Sequence, residues 1–208
     1  MRFDDKEFEI IKKMLNAYIW AERIMYTKLD IIHQSLEREE GLCPIGHIRG
    51  RVKSTESIAD KLYRLGLELT AENAREHIKD IAGIRIICPY AKDIFYLVEM
   101  LKNLPDCEVV SEKDYVTNPK QSGYRSYHMI MNVSVFHSGN TEKVPIEVQL
   151  RTEAMNFWAT LEHQVKYKYK NQIPKHLSDE LVVCADKISD LDNRMYLIHE
   201  IISLINDG

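Results

Sequence analysis

The segment 144–151 (VPIEVQLR) alternates apolar and polar residues. This alternation is typical of a β-strand with one buried face, because successive side chains of a strand point to opposite sides of the sheet. Glu147, Gln149 and Arg151 therefore share the second face of the predicted strand. A carboxylate, an amide and a guanidinium on one face can bind and activate a polar substrate, although a solvent-exposed sheet face shows the same alternation.

A second carboxylate, Asp80, stands directly before the apolar run 81–88, which predicts a buried strand that carries Arg85. A carboxylate at the end of one strand and a carboxylate on the face of another can share a hard divalent cation. Mg²⁺ is bound in this way, by one or two carboxylates together with substrate phosphates. Asp80 and Glu147 are therefore candidate metal ligands, and the alternative for Asp80 is a structural role in capping the turn.

The segment 49–64 concentrates positive charge: five cations against two acids give +3 in a chain of formal net charge −4. Ser54 or Thr55 can cap a helix that begins near residue 56, and on that helix Ser57, Lys61 and Arg64 share one face. Cations on a helix face and on the extended residues before it are suited to binding phosphates, although an ordinary charged helix has the same composition. The five cations are Arg49, Arg51, Lys53, Lys61 and Arg64.

The segment 120–128 (KQSGYRSYH) places an aromatic ring among cations. Gly123 permits a tight turn, and Tyr124 beside Lys120 offers a surface on which a base can stack. Asn156, on a predicted helix, carries an amide that can read the edge of a base. His128 can contact the same ligand, although a lone histidine is more often a structural residue.

The remaining periodicity predicts an α+β domain over residues 1–208, bracketed by two long amphipathic helices. Apolar residues recur in alternating steps of three and four within the predicted N-terminal helix (about 5–40), where Glu22 interrupts them, and within the predicted C-terminal helix (176–206). The core, 45–170, contains predicted strands over 81–88, 127–136 and 144–150 and predicted helices over 93–104 and 153–170. The terminal helices can pack on this core or on another subunit, and we expect self-association.

The composition limits the classes of protein to which the chain can belong. Of its 208 residues 45% are hydrophobic and 29% are charged, which excludes a disordered chain and a uniformly basic nucleic-acid binder. No apolar run approaches the about 20 residues that cross a membrane. The first residues lack a signal peptide, so we expect a soluble cytoplasmic protein without a membrane partner.

Five segments occur in an order that resembles a known family. They are 51–54 (RVKS), 80–85 (DIAGIR), 123–128 (GYRSYH), 147–152 (EVQLRT) and 154–163 (AMNFWATLEH). Together they resemble the synthetase domain of the RelA/SpoT family, the (p)ppGpp synthetases of the bacterial stringent response, and above all its short members, the small alarmone synthetases. The resemblance implies a nucleotidyltransferase-like fold, a mixed sheet flanked by helices.

The family's reaction transfers the β,γ-pyrophosphate of ATP to the 3′-hydroxyl of GTP or GDP and releases AMP. The resemblance implies that Asp80 binds Mg²⁺ and that Glu147 is a second metal ligand, the general base, or both. It implies that Arg51 and Arg85 enclose the adenine and that Lys53, Ser57, Lys61 and Arg64 bind the phosphates of ATP. The residues implied to bind GTP or GDP are Lys113, Lys120, Tyr124, His128, Gln149 and Asn156.

The same resemblance implies an assembly and several absences. Small members of the family form homotetramers. The long members carry a hydrolase domain with an adjacent His-Asp pair, and no histidine of this sequence is followed by aspartate. We therefore expect synthesis without hydrolysis and without dependence on the ribosome, and regulation by a nucleotide or an RNA stays open.

Two alternatives differ in class from a synthetase. The chain can be another nucleotidyltransferase, which acts on an acceptor such as RNA, or an inactive nucleotide- or RNA-binding module. The presence of both Asp80 and Glu147 disfavours the inactive module. A purely structural oligomer is a third alternative and predicts no nucleotide binding.

Overall fold

The computed structural model describes residues 2–40, 43–169 and 173–206. Within them a single five-stranded sheet is flanked by six α-helices, which confirms the expected α+β class. A π-helical turn, Leu36–Glu40, follows the first helix. The elements in chain order are α1 (Asp5–Ser35), β1 (His47–Val52), α2 (Thr55–Arg64), α3 (Ala71–His77), β2 (Ala82–Cys88), α4 (Ala91–Lys102), β3 (Cys107–Asp114), β4 (Tyr127–His137), β5 (Asn140–Thr152), α5 (Glu153–Lys168) and α6 (Lys175–Asn206).

The strands lie in the order β1-β2-β5-β4-β3. The pair β2 and β5 is parallel, and the other neighbouring pairs are antiparallel. Both strands of the parallel pair lie inside the sheet rather than at an edge. They are the strands richest in β-branched and aliphatic residues, which suit a strand that packs against a hydrophobic core. Asp80 precedes β2 and Glu147 lies on β5, so the two candidate metal ligands come from neighbouring strands.

The hydrophobic core fills the space between one face of the sheet and helices α1 and α4. Ile84 of β2, Met131 of β4 and Val148 of β5 are each at most 2% exposed and pack in one cluster with Met25 and Leu29 of α1. Burying an aliphatic side chain of this size stabilises the fold by about 1.5–3 kcal/mol. The core therefore fixes which face of the sheet stays open, and the polar residues of β5 lie on that open face.

The interruption of the apolar pattern in α1 has a structural reason. Glu22 approaches strand β1 at Gly50, where a Cβ atom would lie only 1.6 Å from the Glu22 carboxylate oxygen Oε1. Gly50 therefore makes room for a polar side chain between the helix and the edge strand. The buried face of α1 passes through Met14 and Ala21 and leaves Phe8 36% exposed.

Helices α5 and α6 form a second, smaller layer. Trp158 of α5 packs with Ala185 of α6, and its indole Nε1 donates a hydrogen bond to the Leu181 carbonyl at 2.9 Å. At the end of β5, the Thr152 hydroxyl donates to Asp192 of α6 at 2.7 Å and accepts from the Met155 amide. Helix α6 is thus joined to the strand that carries Glu147.

The second half of α6 presents apolar side chains to solvent. Eight of them are at least 50% exposed: Leu191, Met195, Leu197, Ile198, Ile201, Ile202, Leu204 and Ile205. No helix in the described part of the chain is long and apolar enough to cross a membrane.

The sequence-based elements agree with the structure at most positions. The predicted strands 81–88, 127–136 and 144–150 correspond to β2, β4 and β5, and Ser54 is the N-cap of α2, as expected. The predicted helices 93–104 and 153–170 correspond to α4 and α5, although residue 170 lies outside the described residues. The elements β3 and α3 were not predicted, and β1 was expected only as an extended stretch.

Candidate active site

Two rows of residues cross the open face of the sheet. Residues paired across neighbouring strands point to the same side, so the register of the strands defines each row. From β1 to β3, the first row contains Arg49, Arg85, Gln149, His128 and Lys113, and the second contains Arg51, Gly83, Glu147, Ile130 and Ser111. A cleft of about 200 Å³ lies over the β1–β2–β5 end of both rows. Three of the site residues predicted from the sequence, Arg51, Arg85 and Gln149, therefore line the same cleft as Glu147, and His128 and Lys113 lie in the first row.

Glu147 is held by two neighbours. Its Oε1 lies 3.1 Å from His128 Nδ1, and its Oε2 accepts a hydrogen bond from the Gln149 amide at 2.8 Å. Burial raises the pKa of Glu147, but the hydrogen bond and charge of His128 outweigh burial and hold the pKa below its ordinary value of 4.5. Glu147 is therefore an ionised, oriented carboxylate at neutral pH, as a metal ligand or a general base must be.

A chain of hydrogen bonds leads away from Glu147. The Tyr124 hydroxyl lies 2.8 Å from His128 Nε2, and Arg151 donates to the same hydroxyl. An ionised carboxylate can only accept, so His128 Nδ1 donates the hydrogen bond to Glu147. Arg151, Tyr124, His128 and Glu147 thus form one hydrogen-bonded chain from β5 across the loop to the carboxylate.

Asp80 is held by two lysines. Its Oδ1 lies 2.6 Å from Lys61 Nζ, and its Oδ2 lies 2.9 Å from Lys53 Nζ. Burial raises the pKa of Asp80, but the hydrogen bonds from Lys61 and Lys53 outweigh it, so the net pKa is lowered. The predicted cationic helix face therefore meets the predicted metal ligand, and the group carries a net charge of +1 in this structure.

Arg85 lies in the row of Gln149, two residues along β2 from Gly83, the strand partner of Glu147. Its Nη2 is 3.4 Å from Gln149 Oε1 and its Nη1 is 3.5 Å from Asn156 Oδ1, both long for hydrogen bonds. Its Nε is buried without a hydrogen-bond partner among the described residues. Burial and then the charges of Arg151 and Arg51 lower the pKa of Arg85. The guanidinium is therefore only weakly satisfied and suited to contact a ligand.

The loop before β4 carries the predicted stacking residue. Lys120 Nζ lies 4.8 Å from the centre of the Tyr124 ring and 4.6 Å from the centre of the Tyr115 ring. Tyr115 also meets His128 edge-on, with ring centroids 5.5 Å apart. An aromatic group with an ammonium over it can accept a planar base and anionic phosphates.

Some predicted residues lie at the margin of this arrangement. The Ser57 hydroxyl is 3.2 Å from the hydroxyl of Ser54, and Arg64 Nε donates to the Asp60 carbonyl one turn earlier in its own helix. Lys113 lies on the edge strand β3, in the row of His128. The structure therefore brings Lys61 to Asp80 but does not bring Arg64 there.

Sequence analysis also missed members of the site. Tyr115 and Gly83 were not assigned a role, Arg49 was noted only as one of the cations of segment 49–64, and Arg151 only as part of the polar strand face. For Arg49 and Gly83 the signal was available, because each precedes or follows a predicted residue by two positions on the same strand. For Tyr115 no local signal exists, since it meets Tyr124 only through the path of the loop.

The donors present fit Mg²⁺ if a substrate completes its coordination. No group of three or more histidine, cysteine, aspartate or glutamate residues that could hold a metal ion occurs among the described residues. Asp80 and Glu147 supply hard oxygen donors from neighbouring strands, and the charge of Asp80 raises the pKa of Glu147. Two carboxylates suit an ion that takes its other ligands from phosphates and water.

The chain matches a family model and named relatives. A model described as a region found in RelA and SpoT proteins matches residues 50–172. GTP pyrophosphokinase YwaC of Bacillus subtilis is 45% identical over 184 residues, which cover 88% of this chain and 88% of that protein. GTP pyrophosphokinase YjbM of the same organism is 38% identical over 192 residues, covering 92% of this chain and 88% of that protein.

Solved structures show the same fold. The crystal structure of small alarmone synthetase 1 from Bacillus subtilis bound to its product pppGpp has a TM-score of 0.85 at 37% identity and covers 95% of this chain and 99% of that one. Small alarmone synthetase 2 of the same organism has a TM-score of 0.82 at 43% identity, covering 91% of this chain and 97% of that one. From the ordered motifs, the shared fold and these relatives, we conclude that the chain belongs to the RelA/SpoT family.

Proposed function

We propose that the protein is a GTP/GDP pyrophosphokinase that makes (p)ppGpp. It transfers the β,γ-pyrophosphate of ATP to the 3′-hydroxyl of GTP or GDP and releases AMP. The observation that carries this proposal is the position of Glu147, an ionised carboxylate between a cationic group at Asp80 and an aromatic group at Tyr124. The two groups suit two different nucleotides, and two relatives with this sequence pattern are named GTP pyrophosphokinases.

ATP binds at the cationic group. Its phosphates contact Lys53 and Lys61, and Ser57 and Arg64 contact them from the margin of the site. The phosphates then replace Asp80 as ion-pair partners of the two lysines. Arg51 and Arg85 enclose the adenine. The proposal is supported by the weakly satisfied guanidinium of Arg85 and by the cleft that Arg51 and Arg85 share.

GTP or GDP binds at the aromatic group. Guanine stacks on Tyr124 and displaces the Lys120 ammonium, which lies over that ring. The freed ammonium then contacts the acceptor phosphates, together with Lys113 and His128. Gln149 and Asn156 fix the nucleoside so that its 3′-hydroxyl faces Glu147.

The carboxylate of Glu147 then performs the proton transfer. It accepts the proton of the 3′-hydroxyl, the oxygen attacks the β-phosphorus of ATP, and the bond between the α-phosphate and the β-phosphate breaks to release AMP. His128 and Gln149 keep the carboxylate oriented throughout. Asp80 and Glu147 would hold Mg²⁺, which when bound neutralises charge on the phosphates.

We further propose that this chain synthesises the alarmone without hydrolysing it and without needing the ribosome. The support is the sequence, in which no His-Asp pair occurs. We propose, too, that it acts in the cytoplasm.

We also propose that the exposed apolar surface of α6 is covered by other copies of the chain in a homotetramer. An apolar surface of this extent is unusual on a monomer. Mass measured by light scattering is expected to equal four chains. Ile202→Glu is expected to lower the mass, and Asn193→Glu, at an exposed position of the same helix outside the apolar set, is expected to leave it unchanged.

The experiment that tests the activity follows the phosphates. The purified protein is incubated with Mg²⁺, ATP labelled at the γ-phosphate and an acceptor that is GTP, GDP or GMP in turn. We expect AMP and a labelled guanine nucleotide in equal amounts. Release of pyrophosphate instead of AMP would contradict the proposal and indicate nucleotidyl transfer.

A further inference from the structure

Arg151 is a buried cation without a carboxylate partner. It is 5% exposed, and no acidic side chain forms an ion pair with it among the residues that the structure describes. A buried charge is costly to desolvate, and most such charges are paired with an opposite charge. The guanidinium instead contacts only neutral groups, and each of them lies in or directly beside the proposed acceptor site.

The contacts of Arg151 are all hydrogen bonds that it donates. Its Nη2 donates to the Tyr124 hydroxyl and to Gln149 Oε1, the latter at 3.0 Å, and its Nε donates to Ser126 Oγ at 3.3 Å. The guanidinium carbon also lies 5.0 Å from the centre of the Tyr124 ring. Ser126 in turn donates to the Leu150 carbonyl at 3.2 Å, so the third contact joins Arg151 to the backbone of its own strand.

These contacts decide which way the two neighbours of Glu147 are oriented. Because Arg151 can only donate, it requires the oxygen of the Gln149 amide to face it, which turns the Gln149 nitrogen toward Glu147. Arg151 also donates to the Tyr124 hydroxyl, which lies 2.8 Å from Nε2 of His128, the ring that donates to Glu147 through Nδ1. Both side chains that hold Glu147 are therefore in contact with a group that Arg151 fixes, or with Arg151 itself.

We propose that Arg151 is the positioning residue of the acceptor site: it holds the Tyr124 ring where guanine stacks and orients Gln149 and His128 toward Glu147. This inference rests on the proposed function. Arg151 itself touches no substrate, because its side chain is buried behind Tyr124 and Gln149. Its loss therefore acts on binding of the acceptor and on the chemical step, and spares binding of ATP.

The first test is steady-state kinetics with each substrate varied in turn, for the wild type, Arg151→Gln, Arg151→Lys and the control Arg23→Gln. Arg23 is an exposed residue of α1. Loss of charged hydrogen bonds is expected to lower kcat/KM for GDP about 10- to 100-fold in Arg151→Gln. The KM for ATP is expected to stay within about twofold of the wild type. Among the described residues Arg151 makes no contact with the lysines at Asp80, and it is linked to Arg85 through Gln149, whose Oε1 lies a long 3.4 Å from Arg85 Nη2. Lysine keeps the charge but cannot reach three acceptors, so Arg151→Lys is expected to recover part of the activity.

The second test asks whether Arg151 acts through Tyr124. Tyr124→Phe removes the hydroxyl and keeps the ring, and a double-mutant cycle with Arg151→Lys is expected to be non-additive in kcat/KM for GDP. Additive effects, or an Arg151→Gln variant that loses kcat with both KM values unchanged, would overturn the positioning role and leave a structural one. If the wild type is active and Arg151→Gln is equally active, the inference is overturned and the proposed function stands. If the wild type forms no AMP, the proposed function is overturned and this inference with it.

Discussion

Gly123 is the position at which the addition of one methyl group is expected to disrupt the acceptor site most. It lies directly before Tyr124, at a backbone φ of +85°, a value that residues with a side chain rarely adopt. A Cβ atom at this position would lie 2.5 Å from the Cβ of Ala185 in α6. Gly123→Ala therefore adds a steric conflict with α6 to a strained backbone, and either response displaces the loop that carries Tyr124.

The magnitude follows from the two contributions. The left-handed backbone costs an alanine about 1–2 kcal/mol. The contact with Ala185 requires a helix or a loop to move, which costs about 1–3 kcal/mol. Gly139 provides the matched control, because its φ is +82° and nothing lies within 4 Å of the position that a Cβ atom would occupy. Gly139→Ala is therefore expected to be destabilised by the backbone conformation alone.

Thermal unfolding of the two variants separates these contributions. For a chain of this length about 1 kcal/mol corresponds to about 2–4 °C, so the steric conflict of about 1–3 kcal/mol should make Gly123→Ala melt about 2–12 °C below Gly139→Ala. The kinetics should differ as well: the KM for GDP rises in Gly123→Ala and the KM for ATP does not. Gly139→Ala should leave both unchanged, because the turn between β4 and β5 is remote from the rows of the site.

A compensating substitution completes the test. Ala185→Gly alone should destabilise α6 by about 1 kcal/mol, because glycine is a poor helix former. Combined with Gly123→Ala it should be less destabilising than the sum, since the steric conflict is gone. Equal melting temperatures of Gly123→Ala and Gly139→Ala, or strictly additive effects with Ala185→Gly, would refute the reasoning.

Three further predictions concern the other parts of the site. Lys61→Met should raise the KM for ATP about 10-fold and destabilise the protein at neutral pH by about 1–2 kcal/mol, since Asp80 keeps only Lys53. Because the pKa of Asp80 is lowered in the folded state, its ion pairs contribute fully above its ordinary pKa of 3.8 and are lost as the pH falls through the lower folded value, so melting curves of the variant and the wild type should converge in acid. Thr152→Val should lower the stability by about 1–2 kcal/mol in urea unfolding, because Asp192 loses its hydrogen bond, whereas an unchanged midpoint would show that this contact does not secure α6. Removal of divalent cations with EDTA should abolish AMP release, excess Mg²⁺ should restore it, and activity that survives EDTA would contradict the metal role of Asp80.

The polar face of β5 could be predicted because one strand contains the whole pattern. From Ile146 to Arg151 apolar and polar residues alternate strictly, so the face on which Glu147 and Gln149 lie follows from the sequence alone. Ser54 could be predicted as the N-cap of α2 because a capping residue acts on backbone groups within the next turn. In both cases the determining interactions are local.

The elements that were missed have weak local patterns. Strand β3 is an edge strand with mostly exposed residues and a register shift between Val109 and Ser111, so it lacks the alternation of a buried strand. Helix α3 has seven residues and buries only Ala74. Pairing with β4 stabilises β3, and packing against α1 and α2 stabilises α3. Such long-range contacts cannot be recognised in a short window of sequence.

The role of Arg151 illustrates the same limit within the site. Its position on the polar face of β5 was predicted, but burial and the contacts with Tyr124 and Ser126 depend on how the loop before β4 folds over the strand. The opposite case is Arg64, which shares a helix face with Lys61 and yet, in the described part of the chain, donates its hydrogen bond to the Asp60 carbonyl of its own helix rather than reaching Asp80. Spacing along one element predicts which side chains can meet a ligand, and the arrangement of several elements decides which of them do.

The most direct test of the account is a comparison of Glu147→Gln with the wild type in a single turnover with ATP, GDP and Mg²⁺. Glutamine preserves the shape of the side chain and removes its charge and basicity. The account predicts AMP and guanine tetraphosphate in equal amounts from the wild type. It predicts a rate at least about 100-fold lower from the variant, with a melting temperature close to that of the wild type and GDP still bound. A variant that forms AMP at the rate of the wild type would contradict the central role of Glu147.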